Sequence, residues 1–496
     1  MADKYVAAVD LGTTGVRCVI FDSHAVCISS SYQEISLSYP KPGWVEQDPE
    51  EMFQATLTVL RGCLETGGIP VTDIASIGIT NQRETAIVWD PETKIPIYPA
   101  IVWQDRRTSP TCRHLRERGL EESVFSKTGL TIDPYFSASK IAWILDTVPG
   151  ARRRAEKGQL ICGTPDTWLV WRLSNTHVTD ASNASRTSLF NLHTMSWDDR
   201  LMNIFSVPPS CLPTILPSLS QFSLVDPEFA HRDDLPISAV LGDQQAALFG
   251  HYGLTQGSTK MTWGTGGFLL SNTGSKPFES KHRLLTTVFF SSKDKVSYGL
   301  EGSVFVAGAA IQWLRDGLGV IADAKQTSDM AKSLRSTEGV YFVPALVGLG
   351  APHWDPSARG TIVGITRGTR KEHIVRAALE AIAFQTYEIV KALEDDLGYQ
   401  LEALQVDGGA ARNDFLCQFQ ADILGIPVIR AESVEMTSRG AALAAGLSSG
   451  FWASSKQVSS LSPASAQFDP HMSKASQQEL IYSWKQAVQR SKGWQE

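Results

Sequence analysis

Apolar runs separated by short segments of glycine, threonine and aspartate are the main pattern of this chain. Near the start, the apolar run at 5–9 leads into the segment DLGTTGVR at 10–17, and a second apolar run follows at 18–22. This alternation predicts a β-hairpin. Its tip combines a carboxylate with glycines and small hydroxyl residues, so backbone N–H groups can face a phosphate while Asp10 faces a metal ion.

A similar arrangement recurs in the second half of the chain. A strand at 260–263 leads into the turn GTGG at 264–267, and another strand follows at 268–270. A plain hairpin turn is the alternative interpretation of this segment taken alone. Together with the first turn, it indicates a duplicated architecture that holds a nucleotide between two halves.

Three further segments have interpretable patterns. The residues at 404–407 predict a strand, followed by a bare glycine turn and a helix that ends at Gly425. A capping box at 369–372 predicts a structural helix that ends at Gly398. The small residues between Gly302 and Gly319 predict one more helix, suited to close packing or to contact with a ligand.

A carboxylate stands where the apolar strand 237–241 meets the helix-forming segment GDQQAA at 242–247. Asp243 could serve only as the N-cap of that helix. The alternative is a general base that takes the proton of an alcohol during phosphoryl transfer. The two roles are compatible, because cap geometry also fixes the carboxylate.

Opposite charges stand side by side in NQRET at 81–85, after the strand 77–80. A surface ion pair between Arg83 and Glu84 would contribute little stability. In a cleft, the same pair could bind the neighbouring hydroxyls of a polyol. Trp103 and Tyr135 are the aromatic candidates for the wall of that pocket, although an aromatic residue taken alone belongs more often to the core.

Composition limits the possible partners and compartments. With 496 residues, 43% of them hydrophobic and 20% charged, the chain predicts at least two globular domains. A net charge of -7 without a basic block argues against nucleic acid as a partner. Seven scattered cysteines without a C-x-x-C pair argue against disulfides and zinc, and no run approaches the ~18 apolar residues of a membrane span. We expect a soluble, cytoplasmic protein with no signal peptide and no membrane insertion.

Seven sequence blocks carry a family resemblance. They are PGWVEQDP at 42–49, NQRET at 81–85, IVWQ at 101–104, NASRT at 183–187, GDQQAALFG at 242–250, GLGAP at 348–352 and VDGGA at 406–410. From about Tyr5 to Trp452 the chain resembles the glycerol kinases of the FGGY carbohydrate kinase family, within the actin/hexokinase/Hsp70 superfamily.

The resemblance implies an α/β fold of two actin-like (ribonuclease H-like) domains, with mixed sheets flanked by helices and the active-site cleft between them. Residues 1–252 would form the N-terminal FGGY domain, with the glycerol site and the phosphate hairpin. Residues 253–496 would form the C-terminal, nucleotide-binding domain. The implied reaction is ATP- and Mg²⁺-dependent phosphorylation of glycerol to sn-glycerol 3-phosphate, in a homo-oligomer (dimer or tetramer).

The resemblance also implies roles for individual residues. Asp243 would be the catalytic base, and Asp10 and Asp243 would lie at Mg²⁺. Glycerol would be bound by Arg83, Glu84, Trp103, Tyr135, Asp243, Gln244 and Phe268. The nucleotide and its phosphates would be bound by Thr13, Thr14, Arg17, Thr265, Gly308, Gln312, Gly409 and Asn413.

The chain departs from the family pattern in a few places. The family usually has Gln at Leu11, Ser-Ser at Gly15-Val16 and Cys at Gly267, so we expect fewer hydrogen bonds from the hairpin and altered nucleotide affinity with retained chemistry. The segment 225–236 lacks the glycine-rich loop that binds fructose 1,6-bisphosphate in some members, which argues against inhibition by that sugar. His231 in that segment is expected to be a solvated loop residue.

Two other functions remain open at this point. One is a kinase of the same architecture that acts on another small polyol or ketose. The other is a non-catalytic actin-like protein that binds a nucleotide without turnover.

Overall fold

The computed structural model describes residues 4–431, 435–461 and 465–494 of the chain. Its strands are β1 (Tyr5–Leu11), β2 (Gly15–Phe21), β3 (Cys27–Glu34), β4 (Glu46–Gln47), β5 (Ile74–Asn81), β6 (Ile87–Asp90), β7 (Ile95–Pro96), β8 (Ala100–Ile101), β9 (Ile161–Gly163), β10 (Val178–Asp180), β11 (Phe190–Asn191), β12 (Ser196–Trp197), β13 (Thr214–Leu216), β14 (Leu219–Leu224), β15 (Pro236–Gly242), β16 (Thr259–Trp263), β17 (Gly267–Gly274), β18 (Leu285–Ser291), β19 (Val296–Val304), β20 (Tyr341–Val343), β21 (Thr361–Val363), β22 (Leu404–Asp407), β23 (Val428–Ala431) and β24 (Ser465–Phe468).

The helices connect and flank these strands. They are α1 (Pro49–Gly67), α2 (Ser109–Glu117), α3 (Glu121–Thr128), α4 (Ser137–Thr147), α5 (Ala151–Glu156), α6 (Pro165–Ser174), α7 (Ala181–Ala184), α8 (Asp199–Phe205), α9 (Pro227–Ala230), α10 (Asp243–Gly250), α11 (Gly308–Gln312), α12 (Gln326–Lys332), α13 (Lys371–Leu397), α14 (Asp414–Leu424), α15 (Met436–Ser449), α16 (Ser455–Ser459) and α17 (Lys474–Ser491). Within the described residues, none of these helices is both long and apolar enough to cross a bilayer.

Two mixed sheets form the two halves of the molecule. The first has the order β14-β15-β5-β1-β2-β3, in which β15, β5 and β1 are parallel and the other neighbours are antiparallel. The second has the order β18-β19-β17-β16-β22-β23-β24, in which β16, β22 and β23 are parallel. Strand β18 is an additional edge strand. Taken from β24 towards β18, the second sheet has the same sequence of parallel and antiparallel neighbours as the first sheet from β14 to β3. This confirms the predicted fold of two related α/β halves; the boundary after residue 252 stays a prediction.

The helix α15 joins the halves although it lies near the end of the chain. It packs on β5 and β15 of the first sheet and on α10, and its alanines lie in one buried cluster with Val6, Ala8 and Leu241. Two glycines permit this approach, since a Cβ on Gly78 would overlap the carbonyl of Ala441 and a Cβ on Gly440 would overlap that of Ala246. The second half therefore supplies part of the core of the first.

The local predictions hold where turn chemistry dominates. The hairpin at 5–22 forms as β1 and β2, the second turn joins β16 to β17, and α14 ends at Gly425 with a left-handed backbone. The predicted helix from Gly302 to Gly319 is correct only in its second part, because 302–304 complete β19 and helical turns run from Gly308 to Gly317. Pairing of β19 with both β17 and β18 outweighs the helix-like composition.

The predicted capping box at 369–372 is also wrong in its residues, although the helix it introduces is present. Arg370 is the N-cap of α13, and its backbone N–H donates to Nδ1 of His373 over 3.0 Å. The hydroxyl of Thr369 instead accepts the backbone N–H of Thr366. As predicted, the helix ends at Gly398.

Candidate active site

The carboxyl ends of three parallel strands of the first sheet carry the candidate site. Asp10 lies at the end of β1, Arg83 follows β5, and Asp243 follows β15. Neighbouring parallel strands end at the same edge of a sheet, so residues far apart in sequence meet there. The turn between β16 and β17 of the second sheet faces the same cleft, because Gly264 and Thr265 line a cavity together with Arg83 and Asp243.

This cavity, called here the aromatic cavity, has a volume of about 170 Å³. The ring of Trp103 meets those of Tyr135 and Phe268 edge-on at centroid distances of 5.7 and 5.9 Å, and its Nε1 donates to Oγ1 of Thr13 over 3.0 Å. The full lining is Thr13, Arg83, Glu84, Trp103, Tyr135, Asp243, Gln244, Thr262, Gly264, Thr265, Gly266 and Phe268. All seven residues expected at glycerol therefore line one small space.

A buried ion network closes the polar side of this cavity. Arg83 donates from Nη1 and Nη2 to the two carboxylate oxygens of Glu301 over 2.5 and 3.1 Å. Arg186 donates from Nε to Glu84 over 2.6 Å and from Nη2 to Glu301 over 3.0 Å. The two guanidinium groups lower the pKa of Glu301 to about 2 although burial opposes this. Arg83 and Glu84 are thus held in position by charges on both sides, and the surface ion pair is excluded.

Sequence reasoning missed Glu301 as a site residue and gave Arg186 no role. The available signal for Glu301 was weak: a single carboxylate within β19, whose residues beyond Val296 are all buried. Arg186 lies in the NASRT block that was noted only for its resemblance. A buried charge requires a partner of opposite charge. Either residue would have pointed to the other as that partner, but only after the strand pairing that buries them was known.

The backbone of Glu84 is also unusual. Its φ of +62° lies in the left-handed region that non-glycine residues rarely adopt. Its carbonyl accepts from Oγ of Ser137 over 3.1 Å and from Nζ of Lys140 over 3.4 Å. Lys140 is fully buried and also donates to the carbonyls of Tyr135 and Phe136. One ammonium therefore orders two cavity residues, and burial lowers its pKa to about 8.

Asp243 is the first residue of α10, while Gly242 holds the N-cap position. The N-cap alternative for Asp243 is therefore wrong. Its Oδ1 lies 3.0 Å from Nε of Arg83 and accepts the backbone N–H of Gln244 over 2.7 Å, and 31% of the side chain remains exposed. The carboxylate is oriented but open on the cavity side.

The pKa of Asp10 is raised to about 7 by burial, by the charge of Asp243 and by that of Glu435. Two carboxylates that repel each other at the same edge of the first sheet suit a divalent cation with oxygen ligands. Within the part of the chain that the structure describes, no group of three or more His, Cys, Asp or Glu could hold a metal by itself. Asp10 and Asp243 fit Mg²⁺ only as two ligands beside water and phosphate oxygens, which is how Mg²⁺ is usually bound.

The residues expected at the nucleotide come from both halves, because Thr13, Thr14 and Arg17 belong to the first hairpin and the other five to the second half. Of these eight residues, Thr13 and Thr265 also line the aromatic cavity. Gly308 opens α11, its N–H donates to the carbonyl of Gly264, and a Cβ there would lie 2.6 Å from that oxygen. The turn therefore requires glycine at position 308. A Cβ on Gly409 would meet nothing within 4 Å, so the space beside this backbone is open. Gln312 is exposed at the end of α11.

Asn413 has a structural role in this fold. Its side chain accepts the N–H of Leu416 as the N-cap of α14 and donates to Oγ1 of Thr327 over 3.1 Å. These two bonds leave one amide hydrogen and one oxygen lone pair of Asn413 for a further contact. The position of this residue four residues after Gly409 is compatible with the expected site.

The phosphate hairpin differs from expectation in its apolar residues. Leu11 and Val16 face each other across β1 and β2 and are fully buried in the core, so neither replaces a polar group in the cleft. Glycine at position 15 is explained by lack of space, because a Cβ there would lie about 2.5 Å from the ring of Tyr32. That ring lies 5.1 Å from the guanidinium of Arg17, which forms an ion pair with Glu435 from the other half. Thr14 is exposed at the tip.

The chain was compared with known protein families and structures. The N-terminal domain model of the FGGY family of carbohydrate kinases matches residues 5–250, and the C-terminal domain model matches residues 259–449. Glycerol kinase 1 of Clostridium tetani is 51% identical over 494 residues, which is 99% of each chain. Glycerol kinase 2 of Thermotoga maritima is 50% identical over 494 residues, with the same coverage.

Solved structures agree with these matches. The crystal structure of Plasmodium falciparum glycerol kinase with ADP superposes with a TM-score of 0.91 at 36% identity, over 99% of this chain and 98% of that one. A gluconate kinase from Lactobacillus acidophilus superposes with a TM-score of 0.87 at 23% identity, over 97% of each chain. The second likeness supports the fold alone.

Proposed function

Since the chain belongs to the FGGY family of carbohydrate kinases, we propose that it transfers the γ-phosphoryl group of ATP to glycerol and releases sn-glycerol 3-phosphate. The relatives named glycerol kinase share about half of its residues over nearly the whole length. One of the similar structures is a glycerol kinase with ADP. These likenesses support glycerol and an adenine nucleotide as the substrates.

The aromatic cavity is the observation that carries this proposal. Its volume of about 170 Å³ suits a three-carbon polyol. Trp103, Tyr135 and Phe268 offer apolar contact to a carbon chain, while Arg83 donates hydrogen bonds and Glu84 accepts them. Longer sugars would overlap the three rings, so size is the main filter against them.

Asp243 is the general base in this proposal. Its partly exposed carboxylate lies at the cavity and is fixed by Arg83 and by its own helix N-terminus. From there it can accept the proton of the attacking hydroxyl while the phosphates are held in line. Gln244, whose amide oxygen accepts from the buried Lys260, borders the same space.

Bound Mg²⁺ would neutralise charge on the phosphate oxygens, and Asp10 and Asp243 are the residues that would hold it. The backbone and hydroxyls of the two turns, at Thr13-Thr14 and at Thr265, would hold the phosphates from opposite halves. Arg17, Gly308, Gln312, Gly409 and Asn413 complete the proposed nucleotide side. Closure of the cleft would exclude water, which otherwise competes with glycerol for the phosphoryl group.

Two alternatives predict different substrates. A kinase for another small polyol or ketose would prefer erythritol, dihydroxyacetone or xylulose, and a non-catalytic nucleotide-binding protein would consume no ATP. The intact pair of Asp10 and Asp243 favours turnover, and the three rings favour the smallest acceptor.

One assay distinguishes these functions. ATP consumption is measured with Mg²⁺ and glycerol, erythritol, dihydroxyacetone, xylulose or no acceptor. We expect glycerol to give the highest kcat/KM, and the reaction without acceptor to be close to background. Equal ATP consumption with and without glycerol would contradict the proposal, and a preference for another acceptor would favour the related kinase.

A further inference from the structure

A second cavity, of about 760 Å³, lies between the two halves. We call it the arginine cavity, because the side chains of five arginines line it: Arg106, Arg113, Arg116, Arg283 and Arg359. The first three belong to the N-terminal half and the last two to the C-terminal half. None of these residues has a role in the proposed phosphoryl transfer.

The charge of this cavity is unbalanced. Glu121 and Asp133 are the two carboxylates among its lining residues, and the four guanidinium groups of the lining other than that of Arg359 exceed them by two charges. The whole chain has a net charge of -7, so a positive cleft is not a consequence of composition. A concave surface lined by one sign of charge concentrates ions of the opposite sign. The cavity therefore favours an anion.

Arginine rather than lysine supplies this charge throughout. The planar guanidinium group donates two parallel hydrogen bonds to phosphate or carboxylate oxygens, whereas the ammonium of lysine acts as a point charge. Arg113 and Arg283 are both exposed, so their guanidinium groups are accessible to a ligand in solution. A phosphate group matches this donor set best, because it offers three acceptor oxygens to several guanidinium groups at once.

The floor of the cavity is apolar. Phe305 and Trp354 meet edge-on at a centroid distance of 6.1 Å, and Val347 beside them is 57% exposed. The guanidinium of Arg106 lies 5.4 Å from the ring of Phe305. An inorganic ion would leave this floor uncovered, so the chemistry favours an organic phosphate with an apolar or ring portion.

The arginine cavity also contacts the wall of the aromatic cavity. Oδ1 of Asp133 accepts from Nη1 of Arg106 over 2.7 Å and from the backbone N–H of Tyr135 over 2.9 Å. Trp354 packs against the buried cluster that contains Tyr135. An anion that draws Arg106 away from Asp133 would therefore act on the segment that carries Tyr135.

We propose that the arginine cavity is a binding site for a small organic phosphate, separate from the substrate site and placed to affect it. The ligand's phosphate is bound by guanidinium groups from both halves, and its apolar part lies on Phe305 and Trp354. This proposal can be tested independently of the kinase reaction, because binding of the phosphate ligand is measurable without glycerol and without turnover.

Isothermal titration calorimetry with phenyl phosphate and with inorganic phosphate tests this site. Both probes are titrated into the full chain without nucleotide, and the cavity variant distinguishes binding at this cavity from binding at the nucleotide side. The cavity variant is Arg113→Gln with Arg283→Gln. The matched control is Arg118→Gln with Arg153→Gln, which removes the same charge from two exposed arginines outside the cavity.

We expect phenyl phosphate to bind the wild type and the control with equal affinity, and to bind more tightly than inorganic phosphate because its ring covers the apolar floor. The cavity variant should bind it at least about tenfold more weakly, since charge-assisted hydrogen bonds are lost. Thermal unfolding of both variants should match the wild type. Absence of binding to the wild type, or equal binding to all three proteins, would overturn the proposal. Loss of ATP consumption with retained phenyl phosphate binding would contradict only the proposed function.

Discussion

Arg83 and Glu301 come from different sheets, yet Nη1 of Arg83 lies 2.5 Å from Oε2 of Glu301. Both side chains are buried, and Arg186 completes the bridge from Glu301 back to Glu84. The residue that would orient the polyol is thereby fixed by a carboxylate from the opposite half. In the proposed function, the orientation of the substrate would depend on the same ion network that joins the two halves.

Replacing Glu301 with Gln should weaken glycerol binding more than nucleotide binding. The variant loses charge-assisted bonds to Arg83 and Arg186, each worth about 1.5–3 kcal/mol. We expect the KM for glycerol to rise about 10- to 100-fold while the KM for ATP changes little. Steady-state kinetics with each substrate varied in turn measures this difference.

Glu380→Gln is the matched control for that experiment. Glu380 is also a buried carboxylate paired with a guanidinium, that of Arg376, but the pair lies within α13 away from the cavity. Its replacement should leave the KM for glycerol unchanged. If both variants alter the two KM values alike, Glu301 has only a structural role.

Asp243→Asn should lower kcat by about 10²–10⁴, which is the usual contribution of a general base. The amide keeps the size of the side chain but cannot take the proton of the hydroxyl. ADP affinity, measured by calorimetry without Mg²⁺, should remain within a few-fold of the wild type. Asp226→Asn serves as the control, because Asp226 also stands at a helix start, as the N-cap of α9. Near-normal turnover of Asp243→Asn would remove this residue from the proposed mechanism.

Gly409→Val should weaken nucleotide binding while leaving the fold intact. A Cβ added at Gly409 meets no protein atom within 4 Å, so we expect the valine side chain to extend into the proposed nucleotide site. We expect the Kd for ADP to rise about tenfold or more, equal to ~1.4 kcal/mol. The free energy of unfolding should change by less than about 1 kcal/mol. Gly368→Val, in an exposed turn with similar free space, should leave the Kd unchanged.

Gly15→Ser should act through Tyr32. A Cβ at Gly15 overlaps the tyrosine ring, which is 48% exposed and can turn outward at little cost in stability. Arg17 then loses its aromatic neighbour, a contact of about 0.5–1 kcal/mol. We expect the KM for ATP to rise about two- to fivefold, as it should in Tyr32→Ala. The double variant Gly15→Ser with Tyr32→Ala should show no further rise in the KM for ATP. Additive effects of the two changes would contradict an effect of Gly15→Ser through Tyr32.

Lys140 should make stability depend on pH. Burial lowers its pKa from 10.5 to about 8 in the folded protein, while the unfolded chain keeps the ordinary value. Between these values the unfolded state binds more protons, so the contribution of Lys140 to stability increases as the pH rises from 8 to 10.5. The full difference is about 3 kcal/mol.

Denaturant unfolding of the wild type and of Lys140→Met at several pH values measures this contribution. Between pH 8 and 10.5, the unfolding free energy of the wild type should rise relative to that of the variant by up to about 3 kcal/mol. Since Lys140 also orders Glu84 and Tyr135, the variant should raise the KM for glycerol at every pH. A difference that does not vary with pH would contradict the lowered pKa.

Sequence reasoning succeeded where a few consecutive residues determine the conformation. The turns at 10–17 and 264–267 contain the glycines and hydroxyl residues that each backbone requires, and the turn at 408–413 begins with two glycines, so their strands were located correctly. It failed at 302–304, where β19 is held by two neighbouring strands from other parts of the chain. Small residues do not distinguish a buried strand from a packed helix.

The same limit explains the missed site residues. Arg83, Glu84 and Asp243 stand at strand ends, and that position alone marks them as candidates. Glu301 lies within a strand, and its function depends on which residues of the other half approach it. The packing of the two sheets determines which residues pair with Glu301. A pattern of neighbouring residues in the sequence carries no information about that packing.

The position of α15 has a consequence for synthesis of the chain. Strand β15 completes the first sheet at Gly242, but the helix that covers this sheet begins only at Met436. At roughly 5–20 residues per second, a ribosome needs about 10–40 s to make the intervening segment. During that interval one apolar face of the nascent first half has no cover, and the last helices to emerge complete the folding of the first strands made.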